Sequence, residues 1–193
     1  TIKGNALALL AAERTALNYV GHLSGIATQT NQMATLVAHT KAKICCTRKT
    51  TPGMRSLEKY AIVCGGGQNH RFGLYDAMLI KDNHIAANGN DIRKTVELAL
   101  AQKPHLMRLE VEVDTLEQLE QILDLGVDAV LLDNMRSAEL HKAVSMIDGR
   151  FIIEASGGIT ADTIVPIAEA GVDLISMGRL TQSAPALDVG LDY

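Results

Sequence analysis

Positively charged side chains are concentrated between residues 43 and 55, where the segment CCTRKTTPGMR follows a short apolar run. Lys43 precedes this segment, which contains Arg48, Lys49 and Arg55 but no acidic residue. Arginine and lysine in such clusters bind carboxylates and phosphates through charge-assisted hydrogen bonds. The segment therefore predicts a binding site for an anionic ligand.

Further polar residues lie at the ends of the apolar segments that follow. The basic members of this set are Arg48, Lys49, His70, Arg71 and Lys81, and the acidic members are Glu110, Asp133 and, less directly, Glu112. We expect the basic and acidic groups to form two halves of one site, because burying so many charges without ligands or partners is costly. Two carboxylates in such a site suit Mg²⁺.

Six apolar segments have the composition of buried strands, and helical patterns separate them. They are AKICCT, AMLIKD, LEVEVD, AVLLDN, FIIEAS and LISMG. Strands that alternate with helices form right-handed βαβ units and a parallel sheet. A Rossmann sheet is the main competing hypothesis, but its glycine fingerprint follows none of the strands. The sequence predicts an α/β fold, an incomplete or open TIM-like α/β barrel with six to seven parallel strands and flanking helices.

Two glycine-containing loops follow the last two predicted strands. Gly157 and Gly158 precede a helix that we expect Thr160 to cap, and Gly178 follows the final strand. Backbone N–H groups at such loops bind phosphate, and the carboxyl ends of barrel strands form one mouth where active sites lie. The loops predict a phosphate site at that mouth.

Domain organisation, net charge and cysteine content add further expectations. Residues 1–40 are predicted to form a helical lead-in of two helices that packs on the barrel or on a partner subunit, and residues 41–193 the α/β barrel domain. The net charge of −4 gives no reason to expect nucleic acid or a membrane surface as a partner. The cysteines, at positions 45, 46 and 64, predict buried, reduced thiols in a cytoplasmic protein.

A set of motifs resembles the quinolinate phosphoribosyltransferase family. In chain order they are ERTALN, LSGIAT, TRKTTPGMR, CGGGQNHR, LIKDNHI, LEVEVD, LLDNM, EASGGIT and SMG. The resemblance implies an N-terminal sandwich domain followed by an incomplete barrel, of which this chain has the barrel without most of the sandwich. It also implies that quinolinate and phosphoribosyl pyrophosphate react, with Mg²⁺, to give nicotinate mononucleotide, pyrophosphate and CO₂ in NAD biosynthesis.

The resemblance also implies roles for individual residues. The implied quinolinate-binding residues are Arg14, Thr47, Arg48, His70, Arg71 and Lys81, with Arg14 reaching the site of a neighbouring subunit. The implied phosphoribosyl pyrophosphate-binding residues are Lys49, Glu110, Asp133, Ser156, Gly157, Gly158, Met177, Gly178 and Arg179. The implied catalytic residues are Lys49, Lys81, Glu110 and Asp133, of which Glu110 and Asp133 serve Mg²⁺ directly, through water or through pyrophosphate.

Partners implied by the resemblance are the two small-molecule substrates and other copies of the chain, in a homodimer or a higher homo-oligomer.

Three alternative functions stay open. Lys81 at a strand end would suit a Schiff-base aldolase-type barrel. A related family associated with molybdenum transport shares the scaffold, although the complete TRKTTPGMR segment argues against it. A truncated barrel would retain ligand binding or dimerisation without turnover.

Overall fold

The computed structural model describes residues 1–192. The strands in this part of the chain are β1 Lys43–Cys45, β2 Ala77–Ile80, β3 Arg108–Val113, β4 Ala129–Asp133, β5 Ile152–Ser156 and β6 Leu174–Ser176. The helices are α1 Ala6–Leu36, α2 Arg55–Cys64, α3 Asp82–Ala87, α4 Ile92–Gln102, α5 Leu116–Glu120, α6 Ser137–Ile147, α7 Ile164–Glu169 and α8 Arg179–Gln182. None of these helices has the length and apolar character needed to span a membrane.

The six strands form one parallel sheet in the order β1-β6-β5-β4-β3-β2. Strands β1 and β2 are its two edges and do not pair with each other, so the sheet is not closed. At the β1 edge, the Gln68 N–H donates to the Ile44 carbonyl at 2.8 Å, and the Cys46 N–H donates to the Gln68 carbonyl at 3.1 Å. The prediction of an open α/β barrel with six parallel strands is confirmed.

Strand β3 shows how the sheet separates its two faces. Leu109, Val111 and Val113 are fully buried in the hydrophobic core between the sheet and the helices. Glu110 and Glu112 alternate with them and therefore point to the opposite face of the sheet. The apolar face of the strand stabilises the fold, and the polar face is left to line the interior of the open barrel.

The lead-in contains one helix of 31 residues rather than the two that the sequence predicted. The second predicted helix, which included Ile26 and Met33, is continuous with the first, and Gly21 and Gly25 lie buried inside α1. The C-terminal segment crosses them closely: Leu187 N–H donates to the Gly21 carbonyl at 3.0 Å. A Cβ at Gly21 would lie 2.6 Å from the Leu187 carbonyl oxygen. These glycines therefore permit close backbone packing, and they do not end the helix.

Three further local predictions are corrected. Helix α7 begins at Ile164 with Thr163 as its N-cap, so Thr160 does not cap it and instead opens a preceding turn. The short helices α3 and α8 were not predicted. Cys45 and Cys46 are buried as expected, but Cys64 is exposed because it lies on the solvent side of the last turn of α2.

Candidate active site

A cleft of about 650 Å³ opens at the carboxyl ends of the strands. It is lined by residues at or near the carboxyl ends of all six strands and by the segment between α2 and β2. The sequence-predicted residues on its walls are Thr47, Arg48, Lys49, His70, Arg71, Lys81, Asp133, Ser156, Gly157, Gly158, Met177, Gly178 and Arg179. The fold therefore brings together residues spread over 133 positions of the chain, at the edge where parallel-sheet enzymes carry their sites.

Two arginines in the cleft have buried donor atoms that nothing satisfies. The Nε atoms of Arg48 and Arg71 have no hydrogen-bond partner in the described part of the chain. Arg71 is otherwise held in place, since its Nη1 donates to the Ala77 carbonyl at 2.8 Å. Burial, and then the nearby charge of Arg48, lowers the pKa of Arg71. Two partly buried guanidinium groups with free donors form a site for an anion.

The other two cations of the opening segment do not face the cleft. Arg55 donates to the Thr50 hydroxyl at 3.0 Å and to the carbonyls of Arg48 at 3.2 Å and Phe72 at 3.0 Å. Lys43 starts β1, at the end of the strand opposite the cleft. The charged segment is thus divided between ligand-facing residues and a residue, Arg55, that holds its backbone.

His70, Glu110 and Glu154 form a compact cluster inside the open barrel. His70 Nε2 lies 3.1 Å from Glu110 Oε2 and 3.7 Å from Glu154 Oε2. Glu154 is 1% exposed, and its Oε1 has no hydrogen-bond partner within residues 1–192. One ligand atom from each residue lies within 4.8 Å of the other two, which is close enough to hold a divalent cation.

Burial and mutual charge control the protonation of this cluster. Burial, followed by the nearby charge of Glu110, raises the pKa of Glu154 to about 7. Burial opposes a charge on His70, but the hydrogen bond to Glu110 and the charges of both carboxylates outweigh it and raise the pKa of His70. The cluster therefore holds protons near neutral pH, either on the imidazole or on Glu154.

The two carboxylates predicted to serve one metal are not side by side. Glu110 pairs in register with Ala129, four residues before Asp133 on β4. This places their backbones roughly 13 Å apart along the strand direction, at about 3.3 Å per residue. Burial, followed by Asp114, raises the pKa of Asp133 at the rim of the cleft. One Mg²⁺ ion would therefore not bind both carboxylates directly; water or pyrophosphate oxygens would have to lie between the ion and at least one of them.

The predicted division into a cationic and an anionic half is also changed. Lys81 forms an ion pair with Glu112, whose side chain points into the cleft beside it. His70 contacts Glu110 in the same manner. Opposite charges are therefore interleaved. Parallel pairing places Lys81, directly after β2, beside Glu112 of β3, whereas His70 reaches β3 from the segment between α2 and β2.

The loop after β5 has the backbone shape expected of an anion cradle. Gly157 has a φ of 94°, and a Cβ at this position would lie 2.7 Å from the Asn134 backbone nitrogen. The Asn134 N–H donates to the Ser156 carbonyl at 2.9 Å, which joins the β4 and β5 loops. Because α7 starts only at Ile164, the loop is not at a helix N-terminus, and its exposed N–H groups rather than a helix dipole would meet the ligand.

The loop after β6 lies against the charged segment that follows β1. The Thr181 hydroxyl donates to the Lys49 carbonyl at 2.6 Å, and the Met177 N–H donates to the Cys45 carbonyl at 3.0 Å. A Cβ at Gly178 would lie 3.0 Å from Lys49 Cδ, so glycine permits this close approach. Lys49 therefore shares one corner of the cleft with the glycine loop and with the exposed side chain of Arg179.

Two predicted residues lie outside the cleft wall, and several wall residues were missed. Glu110 lies below the wall, in contact with His70, and Arg14 is exposed on α1. Asn134 and Glu154 are among the missed residues, whereas Glu112, named less directly among the acidic members, does line the wall. Glu154 was noted only as a strand end, although its position two residues before Ser156 places both on the same face of β5.

Comparison with known proteins agrees with this architecture. Residues 26–192 match the family "Quinolinate phosphoribosyl transferase, C-terminal domain". A probable carboxylating nicotinate-nucleotide pyrophosphorylase of Bacillus subtilis is 44% identical over 191 residues, which are 99% of this chain and 66% of that protein. The carboxylating nicotinate-nucleotide pyrophosphorylase of Mycobacterium leprae is 47% identical over 197 residues, covering 100% of this chain and 68% of that protein.

Solved structures give the same result. A nicotinate-nucleotide pyrophosphorylase from Francisella tularensis superposes with a TM-score of 0.91 at 45% identity, over 96% of this chain and 65% of that one. The chain thus spans about two thirds of the length of the relatives that it matches. By sequence and by fold, the chain belongs to the quinolinate phosphoribosyltransferase family.

Proposed function

We propose that the protein to which this chain belongs transfers the phosphoribosyl group of phosphoribosyl pyrophosphate to quinolinate, with loss of CO₂. The products are nicotinate mononucleotide and pyrophosphate, and the pathway is NAD biosynthesis. The observation that carries the proposal is the pair of buried, unsatisfied Nε donors of Arg48 and Arg71 in a cleft bounded by two glycine loops. The relatives' names describe this activity for those proteins.

Quinolinate is a dianion, and the wall formed by Arg48, Arg71, His70 and Lys81 offers it several cationic donors, with the Thr47 hydroxyl beside them. The guanidinium forks of Arg48 and Arg71 suit bidentate contact with a carboxylate. His70 contacts Glu110 through Nε2, and its Nδ1 accepts from the Arg71 N–H at 2.7 Å, so the imidazole holds the backbone of Arg71 in this wall. This side of the cleft is the proposed quinolinate subsite.

Phosphoribosyl pyrophosphate is proposed to occupy the opposite side. The loops 156–158 and 177–179 present backbone N–H groups for its 5′-phosphate, and the ammonium of Lys49 is at the corner between them and the first subsite. The proposed cofactor is Mg²⁺, for which Asp133 supplies a carboxylate at the rim and Glu110 one from below. When bound, Mg²⁺ would neutralise charge on the pyrophosphate.

In this arrangement the chain acts chiefly by positioning the two anions. The cationic wall orients the pyridine ring so that its nitrogen faces the anomeric carbon of the ribose. Lys49 stabilises the charge that builds on pyrophosphate as the bond to the ribose breaks. Once the ring nitrogen is alkylated and positive, it stabilises the electron pair left by the departing CO₂, and that ring carbon then takes a proton from solvent. No covalent bond to a side chain of the protein is required.

Assembly completes the proposal. Arg14 is exposed on α1, far from the cleft of its own chain, and we propose that it serves the site of a neighbouring subunit in a homodimer or a higher homo-oligomer. The sandwich domain and the cytoplasmic localisation predicted from the sequence stay predictions. The alternative of a Schiff-base aldolase is less favoured, because Lys81 is held in an ion pair with Glu112.

The direct test is release of labelled CO₂ from quinolinate labelled in the carboxylate next to nitrogen. We expect release that requires both phosphoribosyl pyrophosphate and Mg²⁺, measured for this chain and for a longer chain that carries the N-terminal domain. Release by the longer chain alone, with quinolinate binding by both, would support a barrel that binds without turnover. Absence of release and of binding in both chains would reject the proposal, and borohydride trapping of a carbonyl substrate on Lys81 would favour the aldolase.

A further inference from the structure

Helix α2 carries a lysine in the protein interior. Lys59 is 3% exposed, and its Nζ donates to the His70 carbonyl at 2.7 Å and lies 3.0 Å from Cys46 Sγ. No Asp or Glu within residues 1–192 forms a salt bridge with it. A buried ammonium without a counter-charge is costly, so the sulfur is the group available to balance it.

The surroundings of Cys46 favour its thiolate form. A hydrogen bond from the Cys45 thiol, and then the contact with Lys59, lower the pKa of Cys46 to about 5 against the effect of burial. Hydrogen bonding to Cys46, followed by burial, raises the pKa of Cys45, so Cys46 is the thiol of the two that is favoured as a thiolate. The same sulfur lies 3.3 Å from Asn69 Oδ1, to which Cys46 donates when it carries its proton.

The two contacts of Lys59 belong to different segments of the cleft wall. Cys46 immediately precedes Thr47 and Arg48, and the His70 carbonyl immediately precedes Arg71. Lys59 therefore joins the β1 loop to the segment before β2 from behind, without facing the cleft itself. Arg55, one helical turn earlier on α2, makes a parallel link between the carbonyls of Arg48 and Phe72.

We propose that Lys59 is a positioning residue for the anion site, held in place by a buried ion pair with the Cys46 thiolate. The pair sets the distance between Arg48 and Arg71, and hence the spacing of the donors that meet the two quinolinate carboxylates. Neither member touches substrate. The inference rests on the proposed function for the identity of the ligand, but the ion pair itself is independent of that identity.

The experiment compares Cys46→Ser, Cys46→Asp and Lys59→Met, with Cys64→Ser as a matched control at an exposed thiol. Quinolinate affinity is measured by calorimetry, and the thiolate is measured by its ultraviolet absorbance at neutral pH. We expect Cys46→Ser and Lys59→Met to weaken quinolinate binding about tenfold, the size of effect that a small misplacement produces. Cys46→Asp should restore most of the affinity, because a carboxylate keeps the ion pair.

The outcomes separate a charge effect from a packing effect. If Cys46→Asp binds quinolinate as weakly as Cys46→Ser, or if Cys46→Ser binds like the unaltered protein, the proposal is wrong. Should Lys59→Met fail to fold, the two Cys46 variants still decide. If the unaltered protein binds no quinolinate, the proposed function fails, and the thiolate absorbance then tests the ion pair separately. Loss of that absorbance in Cys46→Ser but not in Cys64→Ser supports the ion pair. Absence of the absorbance from the unaltered protein overturns the ion pair.

Discussion

Arg48 and Arg71 each present a buried Nε to the same cleft, and neither atom has a hydrogen-bond partner in the described chain. Their charges are close enough that Arg48 adds to the lowering of the pKa of Arg71 that burial begins. Two like charges held together in a partly buried site are unfavourable until an anion lies between them. The protein keeps this arrangement by fixing the backbone on both sides, through Arg55 and Lys59.

Removing either guanidinium should weaken quinolinate binding strongly. We expect Arg48→Ala and Arg71→Ala each to cost about 2 kcal/mol, or roughly 30-fold in Kd, because each loses charge-assisted hydrogen bonds. Calorimetric titration with quinolinate provides the measurement. The control is Arg93→Ala, since Arg93 lies on α4, outside the cleft, where it pairs with Asp124. Unchanged affinity in Arg48→Ala would remove it from the proposed subsite.

Gly157 should be intolerant of a side chain. Its φ is 94°, and an added Cβ would lie 2.7 Å from the Asn134 nitrogen, so Gly157→Ala combines backbone strain of about 1 kcal/mol with a clash. We expect loss of phosphoribosyl pyrophosphate binding together with a lower Tm. Gly66→Ala is the matched control, because its φ is 85° but an added Cβ would meet nothing within 4 Å. Equal effects of the two variants would mean that strain alone, and not the contact with Asn134, makes glycine necessary.

The buried carboxylate of Glu58 should contribute more to the stability of the fold than the imidazole of its partner, His22. Glu58 is 0% exposed, accepts from the Thr51 N–H at 3.1 Å and lies 2.8 Å from His22 Nε2. We expect Glu58→Ala to lower the free energy of unfolding by about 3 kcal/mol, because it removes the buried acceptor shared by the Thr51 N–H and His22. His22→Ala should cost about 1 kcal/mol. Denaturant unfolding measures both, and a larger loss in His22→Ala would contradict this order.

The control for that pair is Glu169→Ala, since Glu169 and His39 form an ion pair in which both side chains are more than half exposed. Exposed pairs contribute about 0–1 kcal/mol, so we expect little change in unfolding.

Asp128 should make stability depend on pH in the acid range. Burial opposes its charge, but hydrogen bonds from Lys103 at 2.7 Å and from the Leu109 N–H at 2.8 Å outweigh burial and lower its pKa. A lowered pKa contributes stability that is present above the unfolded-state value of about 3.9 and is lost as pH falls through the folded-state value. We expect Asp128→Asn to cost about 1 kcal/mol at neutral pH. Urea unfolding should show this difference shrinking in acid, and a constant difference would contradict the assignment.

The fold was largely predictable because its signals are local. Each of the six apolar segments became a strand. The packing of α1 was not predictable, because the buried Gly21 is explained only by the segment near Leu187, far along the chain. Local patterns do not report contacts of that kind.

For the site, too, local sequence signals were predictive and contacts between distant residues were not. The residue types at strand ends predicted an anion site and its cations from Arg48 to Lys81. The pairing of His70 with Glu110, the separation of Glu110 from Asp133 and the interior ion pair of Lys59 were not predicted. Each depends on strand register or on helix packing, which join residues that are distant in the chain.

The sequence by itself thus determined which segments form strands, which ends carry charge and which family the motifs resemble, because side-chain alternation and turn chemistry act over a few neighbouring residues. Only the tertiary structure decided which charges meet, which stay unsatisfied and face the cleft, and which hold the wall from behind. The physical reason is that parallel pairing fixes the depth of every inward side chain relative to its neighbours, and a shift of two residues along a strand moves a carboxylate by roughly 7 Å.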